Sequence, residues 1–454
     1  MAMGRRKARQ LPLWVDAESL ISGSPGHPFY ERLSALLDTW GFDEFVESAC
    51  SQFYSDPIGR PSLQPGRYFR ALLVGYFEGL DSERGIAWRL KDSLSLRAFL
   101  HYNLDESPPD HSTLSRTRRL LDSETHERVF GWVLQRLAES KLLRGKTLGM
   151  DATTLEANAA MRSIMRRDTE EGYDEYLEKL GKEAGLEAPS REALGRFDRK
   201  RRKKTSNKDW KSPSDPDSRI TKMKDGRTHL AHKAEHAVDL ETGAIVAVTV
   251  QPADRGDTTS FKETLEEALA TISDVLESPE ASAQLNDQLL AEVVLDKGYH
   301  SNASLLDFSG NGIRTYISEP DRGRRNWRGK AKEKKAVYAN RRRIRGKRGR
   351  RLQRLRSELV ERSFAHCFGT GAMRRTHLRG HENIRKRLLL HTAAFNLGLI
   401  MRKLTGCGTP RGLFSFFVAI YAHIWASRRP YLSPRGLLFQ IATFWNQGPK
   451  LRLV

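Results

Sequence analysis

Cysteine is scarce in this chain: Cys50, Cys367 and Cys407 are the only three in 454 residues. They are too few and too scattered for a disulfide framework or a zinc ribbon, and they point to a reducing compartment. Long apolar runs are scarce too. The longest, residues 413–426, is interrupted by His423 and falls short of the roughly 20 residues that a membrane-spanning helix needs. A buried helix is expected there, and no membrane association. The basic opening, residues 1–10, is not followed by the apolar stretch of about 7–15 residues that marks a secretory signal, so none is expected. With 39% hydrophobic and 29% charged residues, the chain is neither a disordered tail nor a membrane protein.

Positive charge is what the chain has in excess. The net charge is +21, with 77 Lys and Arg against 56 Asp and Glu. Most of the surplus sits in residues 322–356, where eighteen Lys or Arg face the single acid Glu333. Self-repulsion of that strength is costly without a polyanion, so the segment reads as a nucleic-acid contact, with Trp327 and Tyr338 available to stack on bases.

The first 140 residues carry helical patterns. Leu72, Leu73, Tyr76, Phe77 and Leu80 form an amphipathic stripe after the Pro65-Gly66 start, and Ser82 is a candidate N-cap for the helix from Glu83 to Leu90. His111 to Arg119 reads as a short basic helix, exposing Arg116, Arg118 and Arg119 as a DNA-contacting helix would. From Lys146 the pattern changes to strands: Thr147 to Asp151, His229 to Val238, Ala244 to Val250, Ala291 to Leu295 and Gly312 to Ile317. Residues 239–243 supply a Gly-containing hairpin turn. Helices are expected over Phe261 to Leu276, Leu352 to Phe364 and Glu382 to Leu404. The polar stretch 162–227 reads as an insertion or long loop, part helical.

Two signals recede on inspection. Gly145-Lys146-Thr147 ends like a phosphate-binding loop, but Ser140 stands where the first glycine is required. His232 and His236 would share one strand face with His229 pointing away. No cysteine accompanies them, so a polar strand face is expected and not a metal cluster.

Three acids stand out. Asp151 is expected to end the first strand, Asp296 ends a later one in Leu295-Asp296-Lys297-Gly298-Tyr299, and Glu361 lies on a helix beyond the basic segment. Carboxylates converging from two strand ends and a packed helix would bind hard divalent cations through oxygen, as Mg²⁺ prefers. A pair of such ions serves phosphoryl transfer.

In order and context these blocks resemble the DDE transposases of bacterial insertion sequences, over roughly residues 62–403. Pro61 to Leu121 is similar to their helical N-terminal domain. Asp151-Ala152-Thr153 through Ala157-Asn158 is similar to the first-aspartate motif, 295–299 to the second, and Val360-Glu361-Arg362-Ser363-Phe364 to the glutamate helix. The pattern departs at Ser357 and Phe368, where related enzymes carry Arg and Lys. Arg354 stands four residues before Glu358, which makes Glu358 a rival to Glu361 as third ligand.

The resemblance implies an α/β fold: a ribonuclease H-like mixed sheet flanked by helices (residues 141–404), with an all-α DNA-binding domain (1–140) and a tail (405–454). It implies a transposase that binds transposon ends and cleaves and joins DNA strands, with Asp151, Asp296 and Glu361 holding two Mg²⁺ ions, or Mn²⁺ in their place. Arg341, Arg342, Arg343, Arg345, Lys347 and Arg348 are expected on double-stranded DNA, both transposon ends and target. A homodimer pairing the ends, in the bacterial cytoplasm at the nucleoid, is expected by the same resemblance. The alternatives are a catalytically inactive DNA-binding descendant and a metal-dependent nuclease that cuts without joining.

Overall fold

The computed structural model describes residues 26–54, 61–186, 190–201, 206–223, 226–321, 323, 325–412 and 418. The apolar run 413–426 and the basic residues Arg322 and Arg324 therefore lie outside the described residues, apart from Val418.

Among the described residues, seven α-helices come first: α1 (Pro28–Thr39), α2 (Phe42–Cys50), α3 (Pro65–Phe77), α4 (Glu83–Asp92), α5 (Leu94–Phe99), α6 (His111–Leu120) and α7 (Ser123–Glu139). Their starts carry local signals. Proline opens α1 and α3, and side chains of Ser82, Ser93, Asp110 and Asp122 accept the amides of Gly85, Leu96, Thr113 and Thr125, satisfying donors that a helix leaves free. At the centre, the fully buried Arg70 of α3 donates to both oxygens of Asp43, to Asp38 and to the Phe99 carbonyl.

Beyond them follow β1 (Thr147–Glu156), β2 (Met165–Arg166), α8 (Tyr173–Glu183), α9 (Arg191–Lys200), β3 (Trp210–Lys211), β4 (Arg219–Lys222), β5 (Thr228–Asp239) and β6 (Ile245–Pro252). The remaining elements are α10 (Asp257–Leu276), α11 (Pro279–Ser282), β7 (Glu292–Leu295), α12 (Asn302–Gly310), β8 (Arg314–Ile317), α13 (Ala331–Arg345), α14 (Lys347–Phe364) and α15 (His381–Thr405). The stretch 162–227 contributes α8, α9 and the small β2–β3 pairing, which close around a satellite core of Ala157, Ile164, Trp210 and Leu230.

The main sheet runs β6-β5-β1-β7-β8, with β4 extending the β6 side of β5. β6, β5 and β1 are antiparallel, whereas β1, β7 and β8 are parallel. This is the ribonuclease H-like mixed sheet. One expectation changes here. β1 does not end at Asp151 but continues to Glu156, because β5 pairs with it all the way to Glu156–Ala231. On its other flank, pairing with β7 stops at Gly149–Val294. Asp151 therefore sits mid-strand, just past the point where the parallel neighbour ends. That opens a crevice at the carboxyl ends of parallel strands, where α/β sheets bind their ligands.

On β6 and on β8, an asparagine from a helix pairs with the backbone of one outer-strand residue. Asn396 of α15 pairs with the amide and carbonyl of Ile245 on β6 (3.0 and 2.8 Å). Asn340 of α13 does the same for Ile317 on β8 (3.0 and 2.8 Å). An unpaired edge is a template for aggregation, and these amides satisfy one residue on each outer strand. α15 is buried almost all round, as a helix running through a core must be. It packs between the N-terminal helices and β6, so the two regions share one hydrophobic core.

Candidate active site

Extending the parallel register of β1 and β7 by two residues sets Asp151 opposite Asp296. Both carboxylates are partly exposed, and a single guanidinium spans them. Arg356 of α14 donates through Nη1 to Asp151 Oδ2 (2.7 Å), and its Nη2 lies 3.9 Å from Asp296 Oδ1. The Arg356 side chain is only 10% exposed. Its stem passes over β1 at Gly149: a Cβ there would lie 3.2 Å from Arg356 Cγ and 2.6 Å from Leu240 Cδ2. Burial pushes the Asp151 carboxyl above the usual range, while Arg356 pulls against that rise and the nearby Asp296 adds to it.

The turn that carries Asp296 is anchored from behind. Tyr299 donates its hydroxyl to Glu235 (2.7 Å), a buried acid on β5 that also accepts from Ser260 and Thr264 of α10. Burial raises the Glu235 carboxyl, and its hydrogen bonds oppose the rise. The neighbouring Lys233 pairs with Asp257, Ser260 and the Arg255 carbonyl. A side chain at Gly298 would collide with the Asp257 carboxylate, so the glycine of the 296–299 motif admits this close approach. Of this anchor, the sequence offered only Tyr299 and Gly298, as motif positions. Lys233 and Glu235 alternate with His232 and His236 along β5, and their burial is decided by α10 packing on that face.

His232 and His236 share the opposite face, as their spacing implies. His232 pairs with the buried Asp215 (2.8 Å), and His236 with Ser363 of α14 (2.9 Å), its ring stacked on Phe364. His229 lies half-buried beside Glu156.

The third acid stands apart from the first two. Glu361 is exposed and accepts from Ser357 (3.0 Å), and Glu358 is exposed and pairs with Arg362 (2.6 Å). Among the described residues, only Asp38, Asp43 and His101 bring three potential ligand atoms within 4.8 Å of one another. That group surrounds the Arg70 guanidinium, so its charge is already met. The two glutamates face different ways. Gln353 of α14 reaches the carbonyls of Leu295 and Tyr316, at the carboxyl ends of β7 and β8. Leu359 lies against Gly243, in the hairpin at the amino end of β1. At 3.6 residues per turn, Glu361 falls roughly 80° from Gln353 and roughly 160° from Leu359. Glu358 falls roughly 140° and 100° from the same two. Glu361 is thus nearer than Glu358 to the Gln353 side of α14, but measured from Arg356, which touches Asp151, the two glutamates lie roughly 140° and 160° round the helix.

The basic segment forms two helices meeting at Gly346. A side chain at Gly349 would strike the Arg343 carbonyl, which demands glycine at that corner. Several of its cations are already engaged. Arg341 pairs with both oxygens of Glu319, Arg343 with the Thr315 carbonyl and hydroxyl, and Arg348 with the buried Glu292. Arg342, Arg345 and Lys347 are exposed and hydrogen-bond to no described residue, as are Arg350, Arg351 and Arg354. Trp327 and Tyr338 meet edge-on at 6.1 Å between centroids, with Arg325 and Arg341 over their faces. In α6, Arg116 and Arg119 are exposed one turn apart, whereas Arg118 is buried on Glu83 and Asn383, tying α6 to α4 and α15.

The sheet order defines a ribonuclease H-like fold. Residues 16–120 match the family described as Transposase domain (DUF772), and residues 193–397 match Transposase DDE domain. No curated protein and no solved structure matches the chain. The chain belongs to the DDE transposases of insertion sequences, enzymes of DNA phosphoryl transfer that generally work with divalent metal ions. The DDE match spans Asp296, Arg356 and Glu361, while Asp151 precedes it. No helix among the described residues is long and apolar enough to cross a membrane.

Proposed function

We propose that this transposase binds the ends of its insertion sequence as a paired homodimer and both cleaves and joins DNA strands, with Asp151, Asp296 and Glu361 as its metal ligands. The observation that carries this reading is the placement of Asp151, where β1 runs past its parallel neighbour, beside Asp296 at the carboxyl end of β7, with a cation already lodged between them. The donor set fits Mg²⁺: all ligands are carboxylate oxygens, partly open to solvent, and a guanidinium stands where positive charge is wanted. Two divalent ions, when bound, supply activation of the attacking oxygen and stabilisation of the leaving one.

The protein's own groups do the rest. Tyr299, Glu235, Lys233 and Asp257 hold the Asp296 turn against β5 and α10. Glu361 of α14 completes the ligand set by turning from Ser357 toward the pair. The exposed cations of α13 and α14 take the phosphate backbone, and Arg116 and Arg119 of α6 contact the transposon ends. Water first breaks the phosphodiester at the element's end, leaving a 3′-hydroxyl. That hydroxyl then attacks a target phosphate, expelling the target's 3′-oxygen and forming the new bond. The test is cleavage and joining of a plasmid carrying the gene's flanking DNA with Mg²⁺, comparing wild type with Asp296→Ala. Defined ends and joined products that vanish in the variant support the reading. Cutting unaffected by the variant refutes the ligand assignment, and binding without cutting in Mg²⁺ or Mn²⁺ refutes the activity.

A further inference from the structure

Arg356 is placed with more care than a structural ion pair needs. It is a buried arginine on the same helix as Glu361, its stem admitted by the one residue type that leaves β1 bare, Gly149. Its guanidinium touches Asp151 at 2.7 Å and stands 3.9 Å from Asp296, and its Nε is buried without a hydrogen-bond partner. A guanidinium satisfied by a carboxylate would close the fork on both oxygens of one acid, as Arg341 does on Glu319. Arg356 instead divides its two Nη groups between two acids on different strands. It sits where a cation coordinated by both would sit.

A guanidinium and a divalent ion placed between the same two carboxylates compete for their oxygens. Coordination to Mg²⁺ brings the oxygen to about 2.0–2.1 Å from the metal, and three positive charges would then crowd two carboxylates. The longer contact, to Asp296, is the first to open.

We propose that Arg356 is a resident counter-cation of the Asp151–Asp296 pair, which must yield its place before a divalent ion can bind. This rests on the reading of the two aspartates as metal ligands. Arg356 balances the acids while the site is metal-free, keeping β1 and β7 from repelling each other at their open ends, and it lowers the affinity of the site for metal. It is a positioning residue that sets metal loading.

The test is Mn²⁺ binding to the full chain, followed by the electron paramagnetic resonance signal of free Mn²⁺ and by calorimetry, in wild type, Arg356→Gln, Arg356→Lys and Asp296→Ala. Arg356→Gln removes the charge and should bind Mn²⁺ on the order of tenfold more tightly, the scale on which one charge at 4–6 Å alters proton binding by a carboxylate. Arg356→Lys keeps the charge and should stay within about threefold of wild type. Without metal, Arg356→Gln should melt below wild type, and saturating Mn²⁺ should close that gap. Should the glutamine variant not fold, Arg356→Met supplies a second neutral side chain along the same path over Gly149. Neutral variants that fold and bind Mn²⁺ no more tightly than wild type would overturn the proposal while leaving the aspartates as ligands. Wild-type Mn²⁺ affinity in Asp296→Ala would instead overturn the reading of the site, and the proposal with it.

Discussion

The two helices of the basic segment divide their cations into free and tethered sets, and that division predicts how DNA binding responds to salt. Arg342, Arg345 and Arg351 are exposed and hydrogen-bond to no described residue. Arg341, Arg343 and Arg348 are spent on Glu319, Thr315 and Glu292. Each phosphate neutralised by a free cation releases counterions, contributing about 0.9 to the slope of log K against log salt for duplex DNA. Changing Arg342, Arg345 and Arg351 together to Gln should flatten that slope by up to about 2.7. The affinity lost by wild type between 50 and 200 mM salt should shrink by roughly 40-fold in the variant. The matching triple change at Arg341, Arg343 and Arg348 should leave the slope within about 0.5 of wild type, but lower the melting temperature, because Glu292 is buried and loses its cation. Fluorescence anisotropy of a labelled duplex across a salt series measures both slopes. Equal flattening by the two triple variants would refute the division, and no flattening by the first would place the DNA elsewhere on the protein.

Three further outcomes are expected. Glu361→Gln should reduce cleavage by about 10³-fold with DNA binding intact, the loss of several kcal/mol of transition-state stabilisation, while Glu358→Gln stays within about threefold of wild type. Single-turnover cleavage decides between them, and the reverse order would move the third ligand to Glu358. Asn396→Leu leaves the amide and carbonyl of Ile245 without partners in the core and should destabilise the fold by about 2–5 kcal/mol, measured by urea unfolding; a change under 1 kcal/mol would mean that Ile245 is not held by this residue. The buried His236 and His126 are held neutral by burial, His236 down to about 3 and His126 to about 4. The unfolded chain binds protons at these residues below its ordinary imidazole value near 6.5, so stability is present above that pH and is lost as pH falls. Between pH 6.5 and 5 each histidine should contribute a loss of about 2 kcal/mol. His236→Gln should reduce the pH dependence of unfolding by that share, and an unchanged profile would show that His236 does not titrate on unfolding.

Much of this protein is legible in its sequence because local physics dictates it. Helix starts follow from Ser82 and Pro65, which cap or preset the first turn whatever surrounds them. Five strands of the sheet follow from their sequence patterns, while β4 lies in the stretch 162–227 that reads as an insertion or long loop, and the hairpin at 239–243 follows from its glycine. Asp151 and Asp296 stand out as acids that follow short apolar runs, and the basic helices because so one-sided a charge run demands a polyanion. The tertiary structure decided what depends on partners far along the chain. β1 runs past Asp151 because β5 is long enough to pair with it, a fact no window around Asp151 contains. Arg118, Arg341, Arg343 and Arg348 look like their free neighbours in sequence, and only the acids and carbonyls brought to them by folding tie them down. Arg356 is one of eighteen Lys and Arg residues in the run. It becomes the cation between two aspartates only because α14 crosses the sheet where β7 stops and Gly149 leaves β1 bare.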